Sequence, residues 1–257
     1  MQNWAFPRDS RPATQTRTQR VAPSMRGDCP IMLFLFDCDG VLVDSEIIAA
    51  EVDSQLLSEF GTPISVEDIS RRFAGLTFRK TVELVEKDAD RKIPEAIFDR
   101  QKKELEERLT KNLKAVAGVD RLLDRLEGER CVCSNSTSER MRLTLGKTQL
   151  LEKFTPNVFS AVEVGDHQPK PSPNVYRYAA EQFGTPPREC IVIEDSLFGV
   201  TAAREAGMRI VGFTGGAHTW PGHADVLTEA GAETVIDRLA DLPAVAEAFK
   251  VWDGLPD

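Results

Sequence analysis

The sequence predicts an α/β protein: a doubly wound parallel sheet, interrupted after its first strand by an all-helical insertion. Three observations carry this reading. Apolar runs of strand length begin at Leu33-Phe34-Leu35-Phe36 and, after residue 115, alternate with helical stretches, which is the pattern of a parallel sheet covered on both faces. Between residues 46 and 114 apolar residues recur every three or four positions instead, the period of helices. Finally, several apolar runs stop at acidic or hydroxyl residues, and the carboxyl ends of parallel strands are where such sheets place ligands.

The chain of 257 residues is 41% hydrophobic and 28% charged, enough for a sizeable core in one large or two modest domains. A net charge of −9 argues against a general nucleic-acid or anionic-membrane binder and leaves room for a small local basic pocket. No apolar stretch approaches the roughly 20 residues that a transmembrane helix needs. Cys38, Cys131, Cys133 and Cys190 fall in or beside strand-like runs, as buried reduced thiols do, so a reducing, cytoplasmic compartment is expected. With three histidines and no C-x-x-C, a zinc site is not expected. Residues 1–30 mix Arg8, Arg11, Arg17, Arg20 and Arg26 with Pro, Thr, Gln and Ser and read as a disordered, dispensable tail. An organellar transit peptide is the alternative, weakened by Asp9 and the prolines, and Met25 and Met32 are equally available as starts.

Taken in order, the first element is the buried strand Leu33–Phe36, which runs into Asp37-Cys38-Asp39-Gly40. Extended backbone would send the two aspartates to one side and Cys38 to the other, and Gly40 lets the chain turn away. Two carboxylates that close imply a divalent cation or an acid/base division of labour; an Asp-rich turn is the plainer reading of the motif alone. Ile48, Val52, Leu56 and Phe60 then mark a helix stopped by Gly61 and Pro63, and helical periodicity continues through 69–73, 82–85 and 97–113. Such an insert is a plain helical domain or a lid over the strand end. Further strands are expected at 131–133, 158–162, 191–193, 210–213 and 234–236. Ser172 is read as a helix N-cap with Pro173 first in the helix, and Ser196 as the cap of another helix that Gly207 ends. The domains expected are a core of residues 31–45 and 115–257 and a helical cap of residues 46–114.

Three further strand ends add chemistry to the aspartate pair. Ser134-Asn135-Ser136-Thr137-Ser138 offers hydroxyls and free N–H groups suited to an anion, or simply a helix cap. Lys170, stiffened by Pro169 and Pro171, supplies a cation, though a lone lysine is usually a surface charge. Glu194-Asp195 are adjacent carboxylates after Ile191-Val192-Ile193, a pattern also found at ordinary helix starts. The order D-x-D-G, hydroxyl, lysine, paired acids resembles the haloacid dehalogenase (HAD)-like hydrolase superfamily. The phrases Phe36 to Glu46 and Ile193 to Val200, with Ala202-Ala203 and Ala206-Gly207-Met208, resemble its β-phosphoglucomutase and phosphoglycolate phosphatase branch, which has a Rossmann-like core and a helical C1-type cap.

The resemblance implies a Mg²⁺-dependent phosphatase acting on a small phosphorylated metabolite, a sugar or sugar-acid phosphate such as 6-phosphogluconate. Asp37 would be the nucleophile that becomes an aspartyl phosphate. Asp39 would protonate the leaving oxygen and later deprotonate the attacking water, its backbone carbonyl helping to hold the metal with Asp37, Asp195 and Glu194. Ser134, the Asn135 backbone and Lys170 would hold the phosphoryl group. Phosphoryl transfer is mostly positioning and charge neutralisation, which this set of residue types supplies.

A phosphosugar mutase is the nearest alternative, and a catalytically silent metabolite-binding protein a further one. Asp39 points away from dehalogenation, since a halide needs no proton. In the resembling mutases a histidine lies twelve residues after the nucleophile, where Ala49 stands here. Their cap arginine follows a cap glycine by three residues, yet Phe78 occupies that place after Gly75, with Arg79 one later. Pro169 also replaces a glycine common before the motif lysine. Gly75, Phe78 and Arg79 are the cap residues expected to face substrate, with cap packing as the alternative; for His167 and Trp220, packing or surface roles are expected. The metabolite is the partner expected, without nucleic acid or membrane, the chain being a monomer or weak homodimer.

Overall fold

Strand β1 (Leu33–Phe36) lies at the middle of a six-stranded, wholly parallel sheet. In this computed structural model residues 32–252 are described, so the expected tail of residues 1–30 lies outside them. After β1 come four helices: α1 (Ser45–Glu59), α2 (Val66–Phe73), α3 (Phe78–Ala89) and α4 (Ala96–Asn112). Next are α5 (Val119–Arg125), β2 (Glu129–Ser134), α6 (Ser138–Lys147), β3 (Val158–Ser160) and α7 (Asn174–Phe183). The chain continues through β4 (Cys190–Glu194), α8 (Leu197–Ala206), β5 (Arg209–Phe213), α9 (His223–Ala230), β6 (Thr234–Ile236) and α10 (Leu242–Trp252).

The strand order is β3-β2-β1-β4-β5-β6. Succession therefore runs outward from β1 in one direction and then, from β4, in the other, and the crevice at that reversal is where doubly wound sheets bind ligands. Period-two alternation builds a core on each face. Leu33 and Leu35 join Cys131, Cys133, Val192 and Tyr176 in one apolar cluster, whereas Phe34 and Phe36 join Val132, Ile191, Ile193, Met141 and Leu145 in the other. Both clusters are nearly solvent-free, and each such side chain contributes about 1.5–3 kcal/mol by leaving water. Helices α1–α4 form a third cluster around Leu56, Leu57, Phe73, Val82 and Ile97, while Ile48, Leu105 and Leu109 reach into the sheet-side core.

Two local expectations shift. Ser172 is not the N-cap: α7 starts at Asn174 with Pro173 in the cap position, and the Ser172 hydroxyl accepts the Asn174 N–H. Pro173 fixes the dihedral that enters the helix but sits one residue before it. The third strand stops at Ser160 rather than residue 162, because the N–H groups of Glu163 and Val164 both turn back onto the Ser160 carbonyl. Ser196 does cap α8, accepting from Gly199 N–H, and Gly207 closes it in the left-handed region.

Candidate active site

The carboxyl ends of β1, β2 and β4, with the loop before α7, bring Asp37, Ser134, Asn135, Lys170 and Asp195 to a cleft of about 470 Å³. Asp37 leaves β1 in line with Leu35, and its N–H still bonds Ile193 on β4. The Lys170 ammonium donates to Asp37 Oδ1 at 2.6 Å, to Glu194 Oε1 at 2.6 Å and to the Cys133 carbonyl at 2.8 Å. All of its donors are thus spent on the site, and its side chain is 3% exposed. Burial pulls the lysine down and the two carboxylates pull it up further, so it stays charged.

Burial pushes the Asp37 carboxyl well above the usual carboxylate range despite Lys170, with Glu194, Asp195 and Asp39 adding repulsion. Asp37, Glu194 and Asp195 are buried, and one oxygen from each lies within 4.8 Å of the others. Three like charges so close suit a hard divalent cation that takes oxygen ligands. Asp37 and Asp195 each keep a carboxylate oxygen without a hydrogen-bond partner among the described residues, whereas both Glu194 oxygens are taken. Oε1 accepts from Lys170 and Tyr176, and Oε2 from the Ser196 hydroxyl and the N–H groups of Asp195 and Ser196. Glu194 is thereby fixed as an anchor for Lys170.

Asp39 departs from the side-by-side pair that extended backbone implies. The chain turns at Gly40, whose φ is 86°, and the Asp39 carboxylate faces hydroxyls of Ser45 at 2.5 Å, Ser136 at 2.7 Å and Ser134 at 3.3 Å. It contributes no side-chain oxygen to the acidic trio. Burial pushes this carboxyl up but is outweighed by the Arg140 charge and the three hydroxyls, which hold it below the ordinary value. Cys38 falls on the opposite face, as alternation requires, in the Phe36 cluster.

Asn135 has a role that its place in a hydroxyl cluster did not signal. Its side chain accepts from the Lys170 N–H at 2.7 Å and donates to the Lys170 carbonyl at 3.3 Å, clamping the backbone that carries the lysine. His218 and His223 also went unforeseen. His218 Nε2 lies 2.9 Å from Asp195 Oδ2, and His223 donates from Nε2 to the Asp195 carbonyl at 2.7 Å. Burial holds His223 down to about 4, hence neutral, and Trp220 stacks on its ring with centroids 3.8 Å apart. His167 is exposed, held by a contact to the Val162 carbonyl. No local pattern distinguishes Tyr176, His218 or Arg140; only their tertiary neighbours do.

From the cap, Gly75 and Phe78 line the cleft, together with Glu46, Ala49, Ala50, Asp53, Thr81 and Gln101. Glu46, Ala49, Ala50 and Asp53 share one face of α1 at i, i+3, i+4 and i+7. Burial raises Glu46 to about 7 and Asp53 to about 7 against a hydrogen bond from Gln101. Arg79 does not reach the cleft. Its guanidinium lies over the Phe98 ring, 4.0 Å from the centroid, and 3.5 Å from Glu95, where stacking and charge hold it on the cap surface.

The profile of the family described as haloacid dehalogenase-like hydrolase matches residues 34–213. A conserved haloacid dehalogenase-like protein from Agrobacterium tumefaciens str. C58, known from its crystal structure, is 49% identical. Its TM-score is 0.81, over 85% of this chain and 98% of that one. A HAD family hydrolase from Deinococcus radiodurans R1, whose crystal structure holds phosphate and sodium, is 32% identical with a TM-score of 0.74, over 87% of this chain and 98% of that one. The 6-phosphogluconate phosphatase of Escherichia coli (strain K12) is 28% identical over 220 residues, 85% of this chain and 95% of that protein.

Proposed function

The chain belongs to the haloacid dehalogenase-like hydrolases and is a phosphoric monoester hydrolase, and from that premise we propose a Mg²⁺-dependent phosphatase of a phosphorylated sugar or sugar acid that works through an aspartyl phosphate. One observation carries the reading: Lys170 bridges Asp37 and Glu194 at 2.6 Å each, so a buried carboxylate is held beside a permanent cation at the end of the central strand. A carboxylate attacks a phosphate dianion only where such charge cancels the repulsion.

In the first step an Asp37 oxygen bonds to phosphorus while the ester P–O bond breaks; Asp39, ionised in the free cleft, takes the proton that a monoanionic ester brings in and passes it to the departing oxygen. Water then attacks the same phosphorus; Asp39 takes its proton, the Asp37–phosphorus bond breaks, and inorganic phosphate leaves. A positioned acid/base of this kind is worth on the order of 10² to 10⁴ in rate. Ser134 and the Asn135 backbone hold the phosphoryl oxygens, while Lys170, its donors engaged by Asp37, Glu194 and the Cys133 carbonyl, offsets their charge. Asp37, Asp195 and the Asp39 carbonyl would hold Mg²⁺, with Glu194 acting behind Lys170, and the metal would supply charge that favours the ionised, nucleophilic form of Asp37.

Hydrolysis is favoured over isomerisation by the two positions where the resembling mutases carry a histidine and a cap arginine. Ala49 contributes a methyl group to the cleft, and Arg79 is engaged with Phe98 and Glu95. The test is Mg²⁺-dependent release of p-nitrophenol from p-nitrophenyl phosphate. Asp37→Asn should abolish it, and turnover surviving in that variant would defeat the mechanism. Product analysis with a sugar 1-phosphate should give free phosphate, not an isomer.

A further inference from the structure

We infer that Arg140 binds a carboxylate on the non-phosphoryl end of the substrate, which makes that substrate a phosphorylated sugar acid rather than a neutral sugar phosphate; the inference rests on the phosphatase reading above. Arg140 stands in the first turn of α6, directly after the serines of the phosphate end, and lines the cleft. Its backbone N–H is satisfied by the Thr137 hydroxyl that caps the helix. Its side chain is not. Among the described residues the guanidinium enters no ion pair, and its Nε is buried without a hydrogen-bond partner. A partly buried, always-charged fork without an acceptor is costly to keep unless something that enters the cleft completes it.

The position of the charge narrows what enters. Arg140 lines the cleft together with Asp39 from the strand end and Glu46 and Asp53 from α1. None of the three pairs with it: Asp39 is held by Ser45, Ser134 and Ser136, Asp53 by Gln101, and among the described residues no ion pair or hydrogen bond joins Glu46 to the guanidinium, though both line the cleft. Lys170 lies 2.6 Å from Asp37, and among the described residues Arg140 makes no contact with that carboxylate, so the transferring phosphoryl group belongs to Lys170 and Arg140 is left for a second anion. A neutral polyol would find its donors and acceptors in Gln101, Thr81 and Ser70 and would bring no anion to the buried Nε of Arg140. A planar carboxylate matches the fork in shape and charge.

The decisive comparison uses two probes that differ only at carbon 1, 6-phosphogluconate with a carboxylate and glucitol 6-phosphate with an alcohol. The wild-type enzyme should prefer the acid in kcat/KM. In Arg140→Gln that preference should fall about 10- to 100-fold, mainly through KM, as expected on losing a charge-assisted pair, and Arg140→Lys should keep part of it. A preference for the alcohol in the wild type, or a preference unchanged in both variants, would overturn the inference. Calorimetric binding of the two probes to Asp37→Asn, with and without Arg140→Gln, gives the same comparison without turnover. Absence of phosphate release from every ester, p-nitrophenyl phosphate included, would sink the phosphatase reading, while a binding preference lost with Arg140 would still uphold the carboxylate site.

Discussion

Glu194 is fully hidden, yet its two oxygens take donors from Lys170, Tyr176, Asp195 and Ser196. A buried carboxylate is tolerable only when its lone pairs are met, so each donor lost should register. Tyr176→Phe removes one donor while keeping the ring that lies 5.0 Å from the Lys170 ammonium. Chemical denaturation should show a loss of about 1–3 kcal/mol, with reduced kcat because Lys170 and Tyr176 share Glu194 Oε1; an unchanged stability would deny the hydroxyl this role. Gly199 is constrained by the same carboxylate. It sits in α8 with ordinary helical dihedrals, where alanine would normally gain about 1 kcal/mol, but an added Cβ would overlap Glu194. Overpacking of this kind typically costs about 1–3 kcal/mol, so Gly199→Ala should lower both thermal stability and turnover, against its propensity.

At the scale of elements, the loop between β3 and α7 carries the lysine and has little secondary structure to hold it. Asn174 donates to the carbonyls of Ala161, Val164 and Gln168, and Asn135 clamps Lys170 in both directions. Asn135→Ala should therefore lower kcat on p-nitrophenyl phosphate at least tenfold, with a stability loss of about 1–2 kcal/mol; full activity would mean that Pro169 and Pro171 stiffen the loop unaided. Strands and their chemistry were legible because each is a local signal. Alternation in Leu33–Phe36 assigned both faces, and apolar runs ending in Asp37 and Glu194-Asp195 marked the sheet edge. What stayed hidden depends on neighbours distant in sequence. The side chain of Asn135 meets a loop 35 residues on, the Arg140 Nε is buried without a partner among the described residues, and His218 matters only because the chain after β5 returns to Asp195. Asp39 lines the same cleft as Asp37, but its partners are the hydroxyls of Ser45, Ser134 and Ser136, which no local pattern announces.

For the whole molecule, the accumulation of buried acids in one cleft couples stability to pH and to metal. Asp53 is raised to about 7 from an ordinary 3.8 by burial, and burial also raises Asp37 and Asp195. An acid whose pKa is raised by folding keeps its proton in the folded state at pH values where the unfolded chain has lost it. Its contribution is complete below about pH 4 and declines as pH rises towards 7, since the folded state binds more protons. For Asp53 the shift of about three units corresponds to an upper bound on the order of 4 kcal/mol. In chelator-treated protein the melting temperature should thus fall from pH 5 to pH 7 and level off above. Asp53→Asn should match the parent near pH 4 and exceed it at pH 8. Mg²⁺ held by Asp37 and Asp195 would bind their ionised forms and so compete with protons for them. It should raise the melting temperature more at pH 8 than at pH 5, by an amount that grows with the logarithm of its concentration above the dissociation constant. A Mg²⁺ stabilisation independent of pH, or one that persists in Asp195→Asn, would place the cation away from these carboxylates.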